Sequence, residues 1–156
     1  VREMIVSVAS GENIELHSEA ADAIVHVSLG DLRKAITSLQ VAASLDTNVT
    51  RELIYETTAT APPEELHGYF LACQQDGFQP ARRRLRELLD RFGLAGTDLV
   101  NQLDREFGNV TFFDESQKLK VTEVMAETDF RMVEGGGESL QLDAMTAKIC
   151  SQIKEQ

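Results

Sequence analysis

The chain has 156 residues, 42% of them apolar and 6% aromatic, enough for one domain or two small ones with a buried core. Lys and Arg number 15 against 26 Asp and Glu, a formal net charge of −11. A surface that acidic repels phosphate, which argues against a self-sufficient DNA- or RNA-binding module. No apolar run approaches the roughly 20 residues that cross a bilayer, so no membrane partner is expected. Two cysteines, Cys73 and Cys150, are too few for a disulfide scaffold and suit a reducing, cytoplasmic setting. The opening Val1-Arg2-Glu3-Met4-Ile5 reads as the interior of a helix with no secretory signal before it, as in a fragment.

Apolar residues recur at helical spacing nearly throughout. Val1, Met4, Ile5 and Val8 form a first stripe, ended by Gly11. Ser18 is a candidate N-cap, and Ala20, Ala23, Ile24 and Val27 then share a face until Gly30 stops the helix. Asp31 caps the next helix, whose stripe is Leu32, Ala35, Ile36, Leu39 and Ala43, and Thr50 caps a short one through Ile54 and Thr57. No period-2 alternation is sustained, so the expected class is all-α.

Pro62-Pro63 breaks the pattern. Proline lacks an N–H and pushes its predecessor out of helical geometry, so the pair marks a junction between a domain at 1–60 and another at 61–156. The two carry 4 basic against 9 acidic groups and 11 against 17, so neither is a basic arm. Five helices are predicted in the second. One runs from Pro63 to Gln75. Another runs from Pro80 to Phe92, with Ala81, Leu85, Leu88, Leu89 and Phe92 on one face and Gly93 as its stop. Thr97 is the expected cap of the third, which carries Leu99, Val100, Leu103 and Phe107. Asp114 and Gln117 resemble a capping box with Phe113 as staple. The helix that follows has two apolar faces, Val121, Val124, Met125 and Met132 on one and Leu119, Ala126, Phe130 and Val133 on the other. Such a helix is central or packs on a partner chain. Its expected interface residues are Val121, Val124, Met125, Phe130 and Met132. After Gly135-Gly136-Gly137 a last helix carries Leu142, Met145, Ile149 and Ile153.

Much chemistry has no signature here. There is no G-x-x-x-x-G-K-[ST] loop, no G-x-S-x-G elbow and no D-x-D-x-D-G calcium loop. His17, His26 and His67 match no zinc spacing, and the cysteines are far apart. No catalytic residue and no metal site are therefore expected. Arg82, Arg83, Arg84 and Arg86 form the sole basic cluster. They fan around a helix, with Glu87 and Asp90 close enough to pair, so a solvated face or inter-subunit ion pairs is favoured over DNA contact.

The sharpest local feature is Gly30-Asp31-Leu32-Arg33-Lys34-Ala35-Ile36. Asp31 caps a helix directly behind the stop of the previous one, placing Arg33 in the first turn. Side chains lean toward the N-terminus of their helix, so the guanidinium projects past the helix start beside free N–H groups. That makes a lip for an anion such as a γ-phosphate. The plainer alternative is a surface salt bridge from Arg33 to Asp31 or Glu19.

On these residues the sequence resembles a known family. GDLRKAITSLQVAA resembles the sensor-2 helix of AAA+ clamp loaders, specifically the replication factor C small subunit, in its archaeal form. YETTATAPPEE is similar to that family's lid-to-collar junction. GFQPARRRLRELLDRFGLAGTDLVNQLDRE and AETDFRMVEGGGESLQLDAM are similar to its collar helices. The matched segments follow in the family's order over nearly the whole chain, and the acidity would suit a salt-adapted proteome.

The resemblance implies a small helical lid at 1–60 and a helical collar at 61–156. It also implies an ATPase domain outside this sequence, so the chain alone is not an enzyme. Arg33 would be the sensor-2 arginine that meets the γ-phosphate of ATP, with ATP and Mg as cofactors of the full-length protein. Four small subunits and one large subunit would form a ring that loads the sliding clamp (PCNA) onto primer–template DNA in DNA replication. The fragment itself is expected to form a homo-oligomer. Thr37 stands where the family usually has Asn, and Gly135–Gly137 is looser than the usual turn. Ile153-Lys154-Glu155-Gln156 lacks a clamp-binding pattern. Competing readings are an acidic all-α interaction scaffold, the lid and collar of another AAA+ clamp loader, and a helix-turn-helix regulator.

Overall fold

The computed structural model describes residues 1–154; Glu155 and Gln156, the end of the tail considered above, lie outside the described residues. The chain falls into two compact units, Val1–Thr60 and a second starting at Ala61.

The first unit comprises α1 (Arg2–Gly11), β1 (Glu15–Leu16), α2 (Ser18–Ser28), α3 (Leu32–Leu45), β2 (Asn48–Val49) and α4 (Arg51–Thr57). Its core is narrow: Ile5 and Ala9 of α1, Ala20 and Ile24 of α2, Ala35, Leu39 and Ala42 of α3, with Val49 and Ile54. The stripe predicted on α1 is therefore rotated. Val1 and Met4 are exposed, and Ala9, small enough for close helix approach, takes the buried position one turn beyond Ile5. On α3, Ala42 is buried where Ala43 was expected. Ser18 is the first helical residue and not the cap; its hydroxyl accepts from the Arg2 guanidinium at 2.9 Å. Asp31 and Thr50 do cap their helices, accepting from the N–H of Lys34 and Leu53.

The parallel pair β1–β2 was not foreseen. Glu15 pairs with Asn48 and Leu16 with Val49, and His17 bonds Asn48 Oδ1 at 2.6 Å across the pair. Two-residue strands carry no alternation to detect, and the class remains all-α.

The second unit packs five helices: α5 (Pro63–Gln75), α6 (Phe78–Phe92), α7 (Gly96–Phe107), α8 (Glu115–Val133) and α9 (Glu138–Lys154). Helix α5 lies against α6, α7 and α9, and α8 packs against α7 and α9. Pro63 occupies the first turn of α5, where its missing N–H leaves no bond unmade. Helix α6 starts two residues before Pro80 because proline is equally harmless among the first four N–H groups. The stripe Leu142, Met145, Ile149 and Ile153 is buried as predicted, as are Ala81, Leu85, Leu88 and Phe92.

Asp114 and Gln117 form a complete capping box, with bonds of 2.8 and 2.9 Å. Phe113 does not staple its own helix, since the position that would receive it is Lys118. It joins Phe70 and Phe107 instead, with ring centroids 6.0 and 5.8 Å away. Thr97 is not a cap either: α7 begins at Gly96 after Ala95.

Candidate functional site

The α2–α3 junction is built by two consecutive left-handed residues. The stop expected at Gly30 begins one residue earlier, with Leu29 at φ 53 as the C-cap and Gly30 at φ 81. The Asp31 N–H donates to Ser28 O at 3.0 Å, and its carboxylate accepts from Lys34 N at 3.1 Å, so one residue closes α2 and opens α3. Arg33 follows in the first turn of α3 and is exposed. Among the described residues it forms no ion pair, neither with Asp31 nor with Glu19. A cation left in water at a helix start is free to meet an anion.

Two shallow depressions flank it. One is lined by Val27, Lys34, Thr37, Thr57 and Thr58 among others, the second by Leu32, Ile36, Thr37 and Gln40, and Arg33 borders both. The hydroxyls of Ser38, Thr57 and Thr58 donate to carbonyls of their own helices at 2.7–2.8 Å. Their protons are spent, so Arg33, Lys34, the exposed Thr37 and the Gln40 amide are the donors this surface offers. Lys34 and the α4 threonines carried no sequence signal of their own. Only the packing of α4 beside α3 brings the threonines near Arg33.

The five residues expected at an interface separate. Val121, Val124 and Met125 are in the core of the second unit and cannot also face a partner, Met132 is half-buried, and Phe130 is exposed. The free surface of α8 is its other face, where Leu119, Phe130 and Val133 are each about two-thirds exposed.

Four arginines of α6 pair within their own unit, and with residues other than those predicted. Arg82 and Arg86 both reach Asp143 of α9, at 3.1 and 2.9 Å, while Arg84 and Arg91 approach Glu65 of α5 at 3.8 and 3.7 Å. His26 bonds the Tyr55 hydroxyl and His67 the Glu106 carboxylate. Among the described residues no group of three His, Cys, Asp or Glu side chains could hold a metal ion.

The profile of the replication factor C C-terminal domain matches residues 61–148. Replication factor C small subunits of Methanosarcina acetivorans and Haloquadratum walsbyi are each 37% identical over 94% and 96% of this chain. That of Thermococcus kodakarensis is 38% identical over 90%. The chain spans 46%, 23% and 16% of those three proteins, less than half of each. With five helices filling the matched stretch and the likeness running on through the α2–α3 junction, the chain belongs to the replication factor C C-terminal domain family.

Proposed function

We propose that this chain is the lid and collar of a clamp-loader small subunit, and that Arg33 is its sensor-2 arginine. What supports the reading most is the state of Arg33: an exposed, unpaired guanidinium in the first turn of α3, just past two left-handed residues. The complete protein would act as an AAA+ ATPase subunit beside other small subunits and a large one. It would load a sliding clamp onto primer–template DNA.

ATP, when held by an ATPase domain outside this chain, supplies a γ-phosphate whose charge is removed by hydrolysis. Arg33 fits that group because its five donors are uncommitted and the helix start behind it carries partial positive charge. A charge-assisted bond from Arg33 favours the lid orientation in which it forms, and the preference disappears with the phosphate. Lys34 adds a second cation at the same rim. The donor set does not fit magnesium, which would have to be held by residues elsewhere. The collar keeps subunits together through apolar packing that does not depend on nucleotide.

The test is Arg33→Ala in the full-length protein. Loss of one charge-assisted bond, about 1.5–3 kcal/mol, lowers ATP-coupled clamp loading by roughly 10- to 100-fold while ring assembly stays intact. Clamp loading at the normal rate and ATP dependence would overturn the sensor role.

A further inference from the structure

Helices α5 and α9 enclose a small polar cluster within an apolar core. The Tyr69 and Thr146 hydroxyls lie 2.9 Å apart, and the Thr146 hydroxyl donates to Leu142 O at 3.0 Å. One helical turn beyond each partner stands a cysteine, Cys73 on α5 and Cys150 on α9, both unoxidised and both buried. The i to i+4 spacing from Tyr69 to Cys73 and from Thr146 to Cys150 keeps the thiols on the faces the hydroxyls already join. The two thiols are hydrogen-bonded to each other.

We propose that Cys73 and Cys150 are a latent redox cross-link, a dithiol that a small-molecule disulfide converts into a bond locking α5 to α9. The chemistry balances as two exchanges. One thiolate attacks the oxidant RSSR, forming a mixed disulfide and releasing RS⁻, which takes up a proton. The second thiolate then displaces the other RS⁻ and closes the Cys73–Cys150 bond. The protein loses two protons and two electrons, and two RSH form.

Access sets the rate. The mutual hydrogen bond and burial push the Cys73 thiol well above its ordinary value, so it is inert while the core is closed. Cys150 retains 5% exposure, and local opening of α9 around it admits the oxidant. Once closed, the bond joins the first helix of the unit to its last, which restricts the unfolded chain across most of the unit.

The experiment treats the native full-length protein, at low concentration, with excess oxidised glutathione, followed by alkylation and a non-reducing peptide map. The expected result is a linked Cys73–Cys150 peptide, about 2 Da lighter than the reduced pair because two hydrogens are lost. The melting transition of the collar rises by roughly 5 °C or more and returns on reduction. Cys150→Ser abolishes both the linked peptide and the rise. Free thiols only, glutathione adducts only, cross-links between chains, linkage only in urea, or a linked peptide with no rise in melting temperature each overturn the proposal.

Discussion

The Glu138 carboxylate accepts a hydrogen bond from the Gly96 backbone N–H, so the first residue of α9 caps the start of α7. Nothing on α7 itself does so, because Ala95 has no side-chain oxygen and Thr97 is already helical. A carboxylate there satisfies an orphan donor and sits at the favourable end of the dipole. A Cβ on Gly96 would lie 2.6 Å from Glu138 Cγ and Oε1, so a side chain there would push the glutamate aside and weaken the cap. Glu138→Ala is expected to cost about 1 kcal/mol in urea unfolding, the usual loss for a cap. Gly96→Ala should destabilise the parent but not the Glu138→Ala background. Equal effects in the two backgrounds would show that the clash is not what excludes a side chain.

Leu29 holds a left-handed conformation with 62% of its surface exposed, so little packing offsets the strain. A Cβ in that region costs roughly 1–2 kcal/mol, and glycine avoids this at an entropic cost of about 0.5–1 kcal/mol. Leu29→Gly should therefore leave thermal stability unchanged or slightly higher. Asp31→Ala, two residues on, should lower it by about 1 kcal/mol through loss of the cap. A marked loss on Leu29→Gly would mean that the leucine side chain does packing work its exposure conceals.

These two junctions mark where sequence reasoning reached and where it stopped. Signals that act within one turn were legible: Asp31 and Thr50 as caps, the Asp114–Gln117 box, Pro63 as a helix start and Gly93 as a stop. Signals supplied from afar were not. The cap of α7 comes from α9, and the acidic partners of the α6 arginines lie on α5 and α9 in place of Glu87 and Asp90. Periodicity found the buried column of α9, but on α1 it overrated Met4 and passed over Ala9, because in a thin unit closeness of approach outweighs side-chain size. The exposed place of Arg33 in the first turn of α3 was legible from its neighbours in sequence, whereas the depressions beside it exist only once α4 folds against α3.

The two faces of α8 should respond in opposite ways to substitution. Met125 is 2% exposed and Val124 4%, so Met125→Ala should cost about 2–4 kcal/mol of folding stability, with Val124→Ala somewhat less. Phe130 is 64% exposed, and Phe130→Asp should change the unfolding midpoint little. If the outer face contributes to self-association, Phe130→Asp shifts the light-scattering mass toward monomer at a concentration where the parent is oligomeric. An unchanged oligomer would move the interface away from this face.

Glu127 ties α8 to α9 and reports on that pairing through pH. One carboxylate oxygen meets Arg131 at 2.6 Å and the other Lys148 at 3.3 Å. The hydrogen bond from Lys148, then the charges of Arg131 and Lys148, hold its carboxyl below the ordinary 4.5. A depressed carboxyl contributes stability that is fully present above its unfolded value and lost as pH falls through the folded one. Lys148→Gln should raise the Glu127 midpoint toward 4.5 in a carboxylate NMR titration. Its stability deficit, small for an exposed pair, should be visible at pH 7, shrink in high salt and vanish once the carboxyl is protonated. A deficit that persisted unchanged into acid would assign it to the packing of the lysine stem on α9, and the ion pair would then have no part in joining the two helices.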